Sequence, residues 1–140
     1  MIDRASVEAA LRRGGVIDIT TTGRRSGRPR RIEIVLFCFD GHLYITGRPG
    51  RPRDWLANLT ADPRMTVHLK RELVADVPST ARIIREPQER RRVLTLATAV
   101  WHQSDRLEAY VASAPLIEVK PDDVALLASA RDEERVAPAR

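Results

Sequence analysis

Cysteine, lysine and aromatic residues are scarce in this 140-residue chain, and each scarcity closes a route. The single cysteine, Cys38, excludes an internal disulfide and a multi-cysteine metal centre. It sits in an alternating apolar run and reads as a small buried hydrophobe. His42, His68 and His102 are far apart and lack any paired cysteine or carboxylate spacing, so no metal site is expected. Aromatics make up only 4% of the chain, too few for the stacking platforms of a nucleic-acid-binding barrel. No apolar run reaches the length of a membrane span. Met1 to Arg13 carries charge throughout and has no signal-peptide core. The expectation is a cytoplasmic protein with no integral membrane segment and no nucleic-acid partner. Walker loops, dinucleotide fingerprints and nucleophile elbows are also missing, since the glycine-rich stretches bridge strands rather than lead from strand to helix.

What is present is an apolar content of 43%, enough for one domain with an ordinary core, expected to span residues 1–140. The net charge is +5 and the pI about 10.3, which suits an anionic partner. Almost all of the cationic excess is arginine, Lys70 and Lys120 being the only lysines. Arginine presents a planar fork of donors that matches carboxylates and phosphates.

Asp3 to Arg13 reads as a helix capped by Asp3 or Ser6 and stopped by Gly14-Gly15, so residues 1–14 form an N-terminal helical segment. Val16 to Thr22 and Arg31 to Phe39 read as strands. On the second, Ile32, Ile34, Leu36 and Cys38 share one face, and Glu33, Val35, Phe37 and Phe39 the other. Asp40-Gly41 signals a hairpin into His42 to Thr46. Arg53 to Thr60 reads as a short helix with Trp55, Leu56 and Leu59 inward. Met65 to Leu69 is a strand, and Leu73 to Ile84 another, expected to break near Pro78. Pro87 opens a helix to about Val100, Trp101 to Ala114 is partly helical, and Leu116 to Val119 is a last strand. A helical turn over 122–130 and a frayed tail over 131–140 complete the reading. Antiparallel strands with short helices at the corners imply a mainly β, α+β fold: a small closed or split β-barrel.

The chemistry concentrates in Thr20-Thr21-Thr22-Gly23-Arg24-Arg25-Ser26-Gly27-Arg28-Pro29-Arg30-Arg31, between the first two strands. Gly23 and Gly27 permit a tight turn, and Arg24, Arg25 and Ser26 crowd donors onto it. Two further elements can converge with it: the loop Gly47-Arg48-Pro49-Gly50, and the helix start Arg53-Asp54-Trp55 with its free N–H groups. Asn58 lies on the same side of that helix and offers donors and an acceptor to the edge of a heterocycle.

Together these elements form the pattern T-T-G-R-x-S-G-x-P-R over 21–30, Asp40-Gly41, G-x-x-G over 47–50, and Asp54-Trp55-x-x-Asn58-Leu59-x-Ala61-Asp62-Pro63-Arg64-x-x-Val67. The pattern covers about half the chain and resembles the deazaflavin-dependent nitroreductase family, the type-B branch of the flavin/deazaflavin oxidoreductases. The resemblance implies a split β-barrel like that of pyridoxamine-phosphate oxidases. It implies coenzyme F420 as hydride donor and a quinone, an enone or a nitro-aromatic as the small-molecule acceptor. By matching position, Arg24, Arg25, Ser26 and Gly27 hold the phosphate and acidic tail. Arg48, Pro49, Gly50 and Arg53 line the groove, Trp55 and Asn58 flank the ring, and the strand at Ile34, Val35 and Leu36 backs it. Tyr110 is the candidate proton donor or substrate-orienting group. A homodimer is expected, because a split barrel leaves strand edges and an open groove. The rival readings are a non-catalytic barrel that binds FMN or a tetrapyrrole and, last, a nucleic-acid-binding barrel.

Overall fold

The structure, a computed structural model, describes residues 3–123. The helical turn expected over 122–130 and the tail over 131–140 lie almost wholly outside the described residues.

Helix α1 (Arg4–Arg13) begins where the Asp3 carboxylate accepts the Ser6 N–H at 2.7 Å. It ends at Gly14, whose φ of +65° is left-handed and whose N–H returns to the carbonyls of Ala10 and Leu11. A Cβ there would stand 2.4 Å from the Leu36 carbonyl oxygen, so only glycine lets helix and strand approach this closely. The chain then runs through β1 (Gly15–Thr22), β2 (Pro29–Phe39) and β3 (His42–Thr46). Positive φ at both Asp40 and Gly41 makes the β2–β3 turn the tight hairpin read from the sequence. Helix α2 (Asp54–Ala61), strands β4 (Arg64–Lys70) and β5 (Val74–Ile83), helices α3 (Pro87–Val100) and α4 (Leu107–Ser113), and strand β6 (Leu116–Pro121) complete it. A 3₁₀ turn, Ser104–Arg106, links the last two helices.

The strands close in the order β1-β2-β3-β6-β5-β4, antiparallel at every junction. The long strand β2 explains the split character. Its first eight residues pair with β1, and only its end, Phe37 to Phe39, pairs with β3. Strand β5 is continuous where a break was expected. Pro78 faces outward opposite Thr66, and its carbonyl accepts the Asp122 N–H, so the missing donor interrupts nothing.

The alternation along β2 sorts two cores. Leu36, Ile17, Ile19, Val67 and Val119 fill the barrel, with Ile32, Ile34 and Cys38 packed against them. Leu11 of α1 and Leu59 of α2 enter the same core from elements at opposite ends of β1. Phe37 and Tyr44 face outward into a second core roofed by Val93, Leu94 and Ala97 of α3 and Tyr110 of α4. Arg90 ties that roof down, its guanidinium donating to the carbonyls of Ile84, Tyr110, Val111 and Ala114.

Candidate functional site

The basic turn is rigid by construction. The Gly23 N–H donates to the Arg28 carbonyl and the Gly27 N–H to the Gly23 carbonyl, both at 2.8 Å. The Arg28 N–H donates to the Ser26 hydroxyl at 3.1 Å. Gly27 takes a φ of +71°. A Cβ on Gly23 would stand 2.6 Å from the Ser26 oxygen, so this glycine makes room for the hydroxyl that shapes the turn.

Helix α2 is bolted to the turn by Asn58, which is only 3% exposed. Its amide oxygen accepts both the Arg24 backbone N–H, at 3.1 Å, and the Arg24 guanidinium, at 3.0 Å. Its amide nitrogen donates to the buried Thr21 hydroxyl at 3.2 Å. Arg24 also reaches the exposed Asp54 carboxylate at 3.4 Å. Asn58 and Arg24 therefore bracket turn to helix. Arg25 and Arg30 make no hydrogen bond or ion pair among the described residues.

Turn, helix and the start of β2 enclose a cavity of about 570 Å³. Arg24, Arg25, Ser26, Trp55 and Asn58, five of the residues singled out from the sequence, all line it. So do Thr21, Arg30, Arg31 and Ile32, which were not assigned to the site. Four arginines against the single carboxylate of Asp54 leave the cavity strongly cationic. Ile32 and one edge of the mostly buried Trp55 supply its apolar wall.

The other expected residues stand elsewhere. Ile34 and Leu36 face the barrel interior, Leu36 being 1% exposed, while Val35 faces the opposite core. On β2 the apolar wall is thus Ile32, one step earlier on the same face. Arg48, Pro49 and Gly50 form a loop braced by Arg53, whose guanidinium donates to the Arg51 carbonyl at 2.6 Å and the Arg48 carbonyl at 3.0 Å. None of these four lines the cavity, and neither does Gly27. Tyr110 is 1% exposed within the second core, with Trp101 at 6.3 Å between ring centroids, and does not reach the cavity.

Two polar networks on the outer face of the barrel were not anticipated. On β1, Asp18 accepts from Lys70 at 2.6 Å and from Arg31 at 3.0 Å, and these hydrogen bonds hold its carboxyl below the ordinary range. Lys70 also binds Glu33, and His68 lies between Thr20 and Asp76. On β6, Glu118 is buried. Burial alone would raise its carboxyl, but hydrogen bonds from His42, at 2.8 Å, and Arg82, at 2.9 and 3.0 Å, outweigh it and the value is lowered. Each partner arrives from a different strand, so only period-two alternation combined with strand order, which the sequence does not contain, would have paired them. Among the described residues no cluster of ligands suits a metal ion, and no helix is long and apolar enough to cross a membrane.

A family model described as F420H(2)-dependent quinone reductase matches residues 3–120. No curated protein matches the chain. Solved structures match in fold. A candidate pyridoxamine 5'-phosphate oxidase from Listeria innocua superposes with a TM-score of 0.64 at 14% identity, over 86% of this chain and 94% of that one. A conserved hypothetical protein from Mycobacterium tuberculosis gives 0.70 at 14% identity, over 87% and 82%. A structure described as an F420-H2 dependent reductase gives 0.57 at 23% identity, over 75% and 93%.

Proposed function

The chain belongs to the F420H(2)-dependent quinone reductase family, and from that premise we propose that the cavity beneath the basic turn holds the anionic tail of its cofactor. The protein is an F420-dependent reductase, and F420 supplies the hydride when bound. The reading is carried by one observation: residues from two separate stretches, 21–32 and 54–58, line a single cavity whose cations exceed its carboxylates and whose Arg25 and Arg30 make no hydrogen bond or ion pair among the described residues. The volume lies in the range of small-ligand sites. Arg25 and Arg30 would take the phosphate and carboxylates, and the Ser26 hydroxyl has its proton free to donate while its oxygen accepts from Arg28. Trp55 and Ile32 would flank the apolar part of the ligand. Asn58, with its oxygen committed to Arg24, sets the spacing of turn and helix. The acceptor in this proposal is a quinone, with enones and nitro-aromatics as electron-poor relatives of the same class.

Titration of the purified protein with F420 and with FMN, followed by tryptophan fluorescence, tests the reading. Saturable binding of F420 in preference to FMN, with quinone-dependent oxidation of reduced F420, is expected. Preferential FMN binding without F420 turnover contradicts it and favours the binding-module alternative.

We also propose a homodimer. Closure of the sheet removes the edge-strand reason for one. Its support is the apolar pair Leu96 and Val100, one turn apart on α3 and 42% and 55% exposed.

A further inference from the structure

We infer that the end of the barrel bearing the cavity docks on an anionic lipid surface, an interaction beyond the cofactor site proposed above. Strand registers decide what lies at this end. The end of β1 and the starts of β2 and β4 meet there, as do the ends of β3 and β5 and the start of β6. The basic turn, the 47–53 loop, helix α2 and the link from β5 to α3 therefore share it.

Unpaired positive charge gathers on that end. The guanidinium groups of Arg25, Arg28, Arg30, Arg48, Arg51 and Arg85 make no hydrogen bond or ion pair among the described residues, and all of these residues are exposed. The nearby carboxylates are taken: Asp54 by Arg24, Asp62 by Arg64, and Glu86 by the Glu89 N–H at the start of α3. Elsewhere among the described residues the cations without a partner are scattered: Arg71 between β4 and β5, Arg106 in the 3₁₀ turn and Lys120 on β6.

The chemistry of the surface favours lipid. A cluster of about four to eight arginines or lysines is the size that draws a protein to anionic headgroups. Arg25 and Arg30 are assigned to the cofactor tail, which leaves Arg28, Arg48, Arg51 and Arg85 for the surface when the cavity is full. The same end carries a cleft of about 370 Å³ with Leu56, Ile83 and Pro115 on its walls beside Arg85, a recess that suits an acyl chain. Single-stranded nucleic acid would need exposed rings to stack on. Trp55 is mostly buried, and Phe37, Phe39, Tyr44, Trp101 and Tyr110 gather under the α3–α4 roof. Docking by this end also brings the cofactor cavity to the bilayer, where a quinone with an apolar tail dissolves. That consequence rests on the reductase reading; the docking itself rests on the charge.

Co-sedimentation of the full chain with lipid vesicles, with and without F420, tests the inference. Binding is expected to vesicles of equal parts phosphatidylglycerol and phosphatidylcholine, weakening as salt rises, and not to phosphatidylcholine alone. Each arginine near such a surface raises the partition coefficient about fivefold, so Arg28→Gln, Arg51→Gln and Arg85→Gln together are expected to lower it about 10²-fold. None of the three lines the cofactor cavity, and F420 affinity and thermal unfolding are expected to stay at the wild-type values. Arg71→Gln, Arg106→Gln and Lys120→Gln together remove the same charge from other parts of the surface and are expected to weaken binding far less. Equal losses in the two triple variants would mean attraction by net charge alone and overturn the docking face. Absence of binding to the anionic vesicles overturns it as well, and so does a single-stranded oligonucleotide that displaces the protein from them. Failure of the wild-type protein to bind F420 strikes the reductase reading instead and leaves the vesicle result standing.

Discussion

The arginines of the turn fall into two kinds, and the difference decides what their removal does. Arg24 holds Asn58 through backbone and side chain, whereas Arg25 and Arg30 hold nothing among the described residues. Asn58→Ala leaves the buried Thr21 hydroxyl and the Arg24 N–H without their partner. We expect a loss of about 2 kcal/mol in denaturant unfolding, together with weaker F420 binding as turn and helix separate. Trp55→Ala empties a site that is 7% exposed and is expected to cost about 3–5 kcal/mol. Unchanged midpoints for both variants would remove α2 from the framework of the site. The residue types of the turn were legible in the sequence because glycine spacing and arginine density are local signals. The division of labour was not, since an asparagine aimed at a ligand and one aimed at an arginine are the same letter at the same helix position.

At the scale of elements, local chemistry again carried most of the reading. Caps, turn glycines and Pro87 located α1, the β2–β3 hairpin and α3 to within a residue or two. Gly14 illustrates the limit. Its role as a helix stop is visible in the sequence, but its closeness to Leu36 is a tertiary fact. Gly14→Ala is expected to destabilise by at least about 2 kcal/mol, from left-handed strain plus the backbone clash; thermal unfolding at the wild-type temperature would contradict that contact. The strand expected to break at Pro78 stays whole because its proline faces outward, which the sequence does not reveal. The β6–α3 network gives a prediction with a sign. Arg82 first of all lowers the Glu89 carboxyl, and His42 and Arg82 together lower that of Glu118 against its burial. A carboxyl lowered in the folded state contributes stability above its unfolded value and loses it as pH falls through the folded one. Stability is therefore expected to decline from about pH 4.5 downward, and Glu118→Gln should flatten that decline. An unchanged acid limb in the variant would show that the network does not couple to folding.

For the whole molecule, closure of the six strands separates two jobs. The barrel interior and the α3–α4 roof hold the fold, and the cationic cavity proposed for the ligand lies where β1, β2 and α2 meet. The dimer proposal belongs at this scale: light scattering should give twice the chain mass, reduced toward one chain by Leu96→Glu. A single-chain mass at all concentrations would refute it. The central claim is that the cationic cavity holds the tail of F420, and the most direct test uses Arg25 and Arg30, which make no hydrogen bond or ion pair among the described residues. Arg25→Ala combined with Arg30→Ala should leave unfolding unchanged and raise the Kd for F420 about 10²-fold, from roughly 1.5 kcal/mol per lost charge-assisted contact. A folded double variant that binds F420 as tightly as the wild-type protein would place the cofactor tail elsewhere.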